Sequence, residues 1–201
     1  MGYLVFDTET TGLPDWNKPA EANGQPRLAS WCMIFVDRDF HAERMFSALV
    51  KPDGWEMPAE AAAINGLTTQ RLQAEGHSIE WPLSLMLAAL DAGRTLVAHN
   101  LSFDAKIMRG ELRRAGFGRD AVLVSEAQGI CTMRGLTEAC ALLSDKMGNL
   151  GRYKFPRLAE ASRIILNKEL EGAHGAQADA ICCHELLAAM AQRGLLGREA
   201  A

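Results

Sequence analysis

The sequence predicts an α/β fold, a sheet sandwiched by helices, on three observations. Short apolar runs bounded by polar or turn residues mark buried strands near the N-terminus and again in mid-chain. Stretches rich in good helix formers first alternate with these runs and then succeed them. No repeat, low-complexity tract or long linker divides the 201 residues, and 48% apolar residues suffice for one large core. A single domain over residues 1–201 is therefore expected, with its core at about residues 3–190.

Leu4, Val5 and Phe6 form a continuous apolar run, the pattern of a central strand covered on both faces. Residues 12–26 carry three prolines and two glycines with little apolar periodicity, so they read as a loop over the end of that strand. Strands two and three are expected at 29–36 and 42–50, an antiparallel hairpin turning at Asp37, Arg38 and Asp39. Helices are expected over 58–64, which is alanine-rich, and over 81–90, where Pro82 falls in the tolerant first turn. Leu96, Val97 and Ala98 form a fourth short strand. Ser102 can then cap a helix that presents Phe103, Ile107, Leu112 and Ala115 and ends at Gly116. Three more helices are expected over 133–147, 157–166 and 175–190.

Composition narrows the classes of function. The N-terminus lacks a basic segment, a long apolar stretch and a small-residue cleavage site, and no apolar run approaches bilayer length, so a soluble, cytoplasmic protein with no membrane partner is expected. The five cysteines include no C-x-x-C pair, which favours buried reduced thiols. His41, His77, His99, His174 and His184 show no zinc-binding spacing, so a metal must be sought among carboxylates. The net charge of −4 argues against coating nucleic acid by charge alone. Residues 99–168 nevertheless carry 12 Lys and Arg against 7 Asp and Glu, leaving room for a local basic face.

Candidate chemistry lies in three places. Asp7 and Glu9 are two residues apart at the end of strand one, and the strand period of two puts both carboxylates on one face. Such pairs often lie on a solvated face, but these end a strand that should be buried, where unpaired carboxylates are costly. Asp104 falls in the first turn of the helix after the fourth strand, a position that the helix dipole favours on its own. If strands one and four are parallel neighbours, however, Asp104 faces Asp7 and Glu9 across the carboxyl edge of the sheet. His174 and Asp179 stand among small residues, and Asp179 shares a stripe with Ala176, Ala180 and Cys183 that should pack inward. Converging carboxylates raise one another's pKa, and hard divalent cations such as Mg²⁺ or Mn²⁺ relieve that repulsion while sharing phosphate oxygens. Two such ions can stabilise an in-line displacement, with a neutral histidine taking the proton of the attacking water.

These residues resemble the DEDDh exonucleases of the ribonuclease H-like superfamily, which include proofreading subunits of bacterial DNA polymerases. Phe6-Asp7-Thr8-Glu9-Thr10-Thr11-Gly12 is similar to the first exonuclease motif, His99-Asn100-Leu101-Ser102-Phe103-Asp104 to the second, and His174 with Asp179 to the third. Ile64-Asn65-Gly66-Leu67-Thr68 and Cys131-Thr132 resemble lesser family segments. Where many members carry Asp directly after the third-motif histidine, this chain has Gly175. The resemblance implies a five-stranded mixed sheet flanked by helices, with strand two antiparallel to the others. It implies a 3′–5′ exonuclease releasing 5′-mononucleotides, with two Mg²⁺ or Mn²⁺ ions held by Asp7, Glu9, Asp104 and Asp179 and with His174 as general base. Thr10, Phe103 and Asn100 are the residues expected at the substrate.

The expected partner is nucleic acid, single-stranded or frayed DNA 3′ ends in particular, with RNA as the alternative substrate. The loop over residues 14–26 and the basic stretch over 152–157 suit a longer strand. A catalytically inactive binding module is the rival from another class; it would be signalled by loss of an acidic ligand or of the histidine, and all five are present. No polymerase-binding tail is evident after the last helix, which points to a stand-alone enzyme. For Trp16, Trp55 and Trp81 core or lid packing is favoured over stacking on bases, since burial dominates aromatic energetics, and they are not placed in the site.

Overall fold

A computed structural model describes residues 2–144, 152–172 and 175–197. The chain runs β1 (Tyr3–Thr10), β2 (Leu28–Val36), β3 (Ala42–Leu49), α1 (Ala59–Asn65), α2 (Thr69–Glu75), α3 (Glu80–Asp91), β4 (Thr95–Ala98), α4 (Leu101–Arg114), α5 (Gly118–Glu126) and β5 (Gly129–Cys131). It continues through α6 (Thr132–Gly135), α7 (Thr137–Cys140) and α8 (Leu158–Ala161), a π-helical turn (Ser162–Leu166) and α9 (Ala176–Gln192). The five strands form one sheet in the order β3-β2-β1-β4-β5. β2 pairs antiparallel with β1 and β3, while β1, β4 and β5 are parallel. This is the expected mixed sheet.

Alternation along β1 divides the core between the two faces. Leu4 and Phe6 join Leu83 and Met86 of α3 and Ile107, Met108 and Leu112 of α4. Val5 faces the other way, onto Ala176, Ala180, Cys183 and Leu187 of α9. The small side chains of that stripe let α9 lie close on the sheet. The outer side of α9 buries Cys182, Leu186 and Met190 against Leu136, Ala161 and Ile165. All five cysteines are free and buried. Among the described residues no helix is long and apolar enough to cross a membrane.

Strand lengths decide where the site forms. β1 pairs with β4 only from Tyr3 to Val5, and β4 ends at Ala98, so Asp7 and Glu9 project beyond their parallel neighbour. The chain then reverses through Asn100, whose left-handed φ of 79° is a conformation that asparagine tolerates, and enters α4. Asn100, not Ser102, occupies the N-cap position; Ser102 sits within the first turn and donates to Asn100 Oδ1 at 3.1 Å.

The loop between β1 and β2 is tied down by buried polar groups. Gln25 receives from Asp15 N at 3.0 Å and donates to Asp15 O at 2.8 Å. The buried Lys106 ammonium donates to the carbonyls of Asp15 and Lys18, each at 2.9 Å. Glu111, also buried, takes Arg27 Nε at 2.9 Å, Arg114 Nη1 at 3.2 Å and Leu28 N at 3.0 Å.

The structure departs from the expected helix over 133–147. α7 ends at Cys140, Ala141 is left-handed at φ 49°, and Leu143 bridges to Tyr153; residues 145–147 lie outside the described set. The elements α2, α5 and β5 were not expected from periodicity: β5 has only three residues, and the two helices are short with mixed polar surfaces.

Candidate active site

Asp7 and Glu9 alternate with the buried Phe6 and Thr8, so both face α9, where Asp179 lies in the first helical turn. One carboxylate oxygen from each of Asp7, Glu9 and Asp179 lies within 4.8 Å of the others. Asp104 approaches from α4 on the other flank of β1. Its Oδ1 accepts from Thr8 N at 3.0 Å and from Thr8 Oγ1 at 2.7 Å, which fixes the carboxylate at the strand's edge. The four acidic residues singled out in the sequence therefore gather at one place, three in a tight cluster and Asp104 beside it. His174 lies outside the described residues.

Crowding shows in the protonation of these groups. Burial pushes Asp7 well above the usual carboxylate range, and repulsion from Asp104, Asp179 and Glu9 adds to it. Glu9 is pushed up to about 8, first by burial and then by Asp179 and Asp104, against a lowering hydrogen bond from the Asn65 side chain. Asp104 rises to about 7 through burial, opposed by its Thr8 hydrogen bonds and reinforced by Asp179. An all-oxygen donor set whose carboxylates are buried and repel one another suits a hard divalent cation such as Mg²⁺ or Mn²⁺.

His99, directly after β4, is committed to structural contacts. Its Nε2 lies 3.0 Å from Pro156 O, which can only accept, so Nε2 carries the hydrogen; Nδ1, 2.9 Å from Thr132 Oγ1, then accepts. Burial lowers its pKa and keeps the ring neutral. With both nitrogens occupied, His99 is a structural tie between the end of β4 and the segment leading into α8.

A cleft of about 520 Å³ adjoins Glu9, walled by residues 8–13, Pro58, Ile64, Asn65 and Phe103 among others. Thr10 and Phe103 line this cleft, while Asn100 is the turn residue before α4 and does not. Sequence reasoning did not single out Leu13, which is 86% exposed, or place Asn65 at the site. Asn65 donates to Thr10 O at 3.3 Å and bonds Glu9, so α1 braces the strand end. Its signal in the sequence was the Ile-Asn-Gly segment.

The exonuclease family model RNase_T matches residues 4–187. The DNA polymerase III subunit epsilon of Treponema pallidum (strain Nichols) is 27% identical over 194 residues, covering 94% of this chain and 76% of that protein. Among solved structures, E. coli exonuclease I in complex with a dT13 oligonucleotide superposes with a TM-score of 0.72 at 20% identity, over 96% of this chain. The complex of the same enzyme with a dA16 oligonucleotide gives 0.70 at 19% identity, again over 96% of this chain. The chain spans 41% of the length of these exonuclease I chains, and the likeness at this identity is one of fold. With the family model covering nearly the whole chain and the carboxylates converging as described, the chain belongs to the RNase T exonuclease family, the DEDDh-type 3′–5′ exonucleases built on the ribonuclease H-like fold.

Proposed function

We propose that the chain hydrolyses phosphodiester bonds at the 3′ end of single-stranded or frayed DNA and releases 5′-mononucleotides. The observation that carries this reading is the convergence of Asp7, Glu9 and Asp179 within 4.8 Å, with Asp104 pinned beside them by Thr8. In the proposal Asp7, Glu9 and Asp179 hold one divalent cation, and Asp7 with Asp104 the second. Bound there, the ions supply charge stabilisation of the phosphate and of its attacking and leaving oxygens.

The chain's own groups do the rest. Thr8 holds the Asp104 carboxylate so that it need not reorganise, and Asn65 orients Glu9. Thr10 and Phe103 position the terminal nucleotide in the 520 Å³ cleft, placing the last phosphodiester over the carboxylates. His174, five residues before Asp179, takes the proton of the attacking water. Among the described histidines, His99 cannot fill that role because both ring nitrogens are bonded, and His184 Nε2 is bonded to Phe40 O at 2.9 Å. The choice of DNA draws support from exonuclease I, solved with dT13 and dA16.

The test is incubation with 5′-labelled single-stranded DNA and matched RNA in Mg²⁺ or Mn²⁺, with and without chelator, read on a denaturing gel. A chelator-sensitive ladder that shortens the DNA from its 3′ end is expected. Shortening of RNA alone would make the chain an exoribonuclease, and intact strands under every metal would contradict hydrolysis outright.

A further inference from the structure

A second cleft shares the first turn of α4 with the site. Phe103 lines the nucleotide cleft, and its neighbour Ser102 opens instead into a cavity of about 350 Å³. Trp16, Leu101, Ala105, Arg109 and Arg134 form much of its wall. Among the described residues this wall carries two arginines and no carboxylate.

Three features set the cavity apart from ordinary surface. Trp16 is 57% exposed, yet it is held: the Lys106 ammonium sits 5.1 Å from its ring centroid, and that same ammonium anchors the flanking carbonyls of Asp15 and Lys18. A large aromatic face is thus fixed in solvent on a braced loop. Secondly, the two arginines stand on the cavity wall itself, and among the described residues neither forms an ion pair with a carboxylate. Arg109 donates to Ser125 Oγ at 2.9 Å, and Arg134 lies 5.9 Å from the ring centroid of Phe155, itself 55% exposed. Thirdly, the positive charge here belongs to the one basic stretch of an otherwise acidic chain.

An exposed aromatic face beside un-neutralised guanidinium groups is the pairing that sequence-tolerant single-strand binding uses, with bases stacked on rings and phosphates met by cations. We infer that this cleft takes nucleotides of the same single strand upstream of the bond at the carboxylates, a base lying on Trp16 and phosphates meeting Arg109 and Arg134. Ser102 and Phe103 are consecutive in the first turn of α4, so the two clefts flank that one turn, and in the proposal the strand passes over it from Phe103 to Trp16. The inference rests on the nuclease reading and adds to it a length dependence.

Fluorescence anisotropy with labelled dT3 and dT12 tests it, in Ca²⁺, whose loose coordination disfavours turnover. The unmodified chain should bind dT12 more tightly than dT3. Trp16→Ala should weaken dT12 roughly 5- to 100-fold, the range of a lost base stack, and Trp16→Phe should restore most of it. Replacing Arg109 and Arg134 together by Ala should lower the slope of log affinity against log salt for dT12 by about 1.4, two phosphate contacts on a single strand. In each case the dT12-to-dT3 affinity ratio should collapse. Equal weakening of both lengths, or an unchanged ratio, overturns the inference. If the unmodified chain shortens no oligonucleotide in Mg²⁺, the nuclease reading falls and this one with it; if it shortens dT12 while the variants keep the ratio, only the second cleft is wrong.

Discussion

Replacing Asp104 by Asn removes a buried charge while keeping an oxygen that can accept from Thr8 N and Oγ1, so it isolates the electrostatic cost of the site. Asp104 is 2% exposed and its pKa stands at about 7 against an ordinary 3.8. The native state therefore binds the proton more tightly than the unfolded chain. The stability this gives is complete below the unfolded value and is lost as pH rises through the folded one. At about 1.4 kcal/mol per unit the full loss is ~4 kcal/mol, of which roughly 3 kcal/mol falls between about pH 5 and about pH 8.5. For a chain of this size that is ~5–12 °C in Tm. Thermal unfolding by circular dichroism in chelator, at several pH values in that window, should show the wild type losing this much more than Asp104→Asn. Millimolar Mn²⁺ should restore the wild type at high pH and the variant less. Parallel pH profiles for the two proteins in chelator would refute the claim that the buried Asp104 carboxylate is held under electrostatic stress.

Other substitutions read other links. Asp7→Asn should cut the exonuclease rate by roughly 10³-fold or more through loss of metal binding, since ion stabilisation of the transferred phosphate is worth several kcal/mol; gel kinetics over a Mn²⁺ series check this. His174→Ala should lower kcat by about 10²–10⁴-fold while Mn²⁺ affinity, read by titration calorimetry, stays near wild type; equal loss of both would contradict the general-base role. Glu111→Leu strands the Arg27 and Arg114 guanidinium groups and frees the β1–β2 loop, so a loss of ~3–5 kcal/mol in chemical denaturation is expected. The five buried thiols, with Cys32 pushed up to about 12 by burial and by Asp7, should resist thiol reagents until denaturant opens the fold.

The residues differ in how openly the sequence declared them. Asp7 and Glu9 were legible because the strand period alone puts them on one face, and Asp179 because the small-residue stripe of α9 had to turn inward. Asp104 needed topology: only parallel pairing of β1 with β4 brings the start of α4 to Thr8, and no local pattern contains that pairing. Asn65 contacts Glu9 from 56 positions away, through the packing of α1 on the strand end, which periodicity does not encode. The helix expected over 133–147 failed because apolar spacing persists through Ala141, Leu142 and Leu143 while the backbone turns left-handed at Ala141. Trp16 illustrates the same limit. Its aromatic character suggested packing, whereas Lys106, distant in sequence, and Gln25, from the far end of the same loop, hold the segment so that the ring stays exposed.

The proposal at the centre is that four carboxylates on β1, α4 and α9 hold two divalent cations beside the cleft lined by Thr10 and Phe103. A crystal soaked in Mn²⁺ and a 5′-mononucleotide, measured at an energy where manganese scatters anomalously, addresses it directly. Two anomalous peaks are predicted, one among Asp7, Glu9 and Asp179 and one between Asp7 and Asp104, about 3.5–4 Å apart, with the nucleotide against Thr10 and Phe103. Manganese bound elsewhere, or no anomalous density at these carboxylates in millimolar Mn²⁺, would contradict the account.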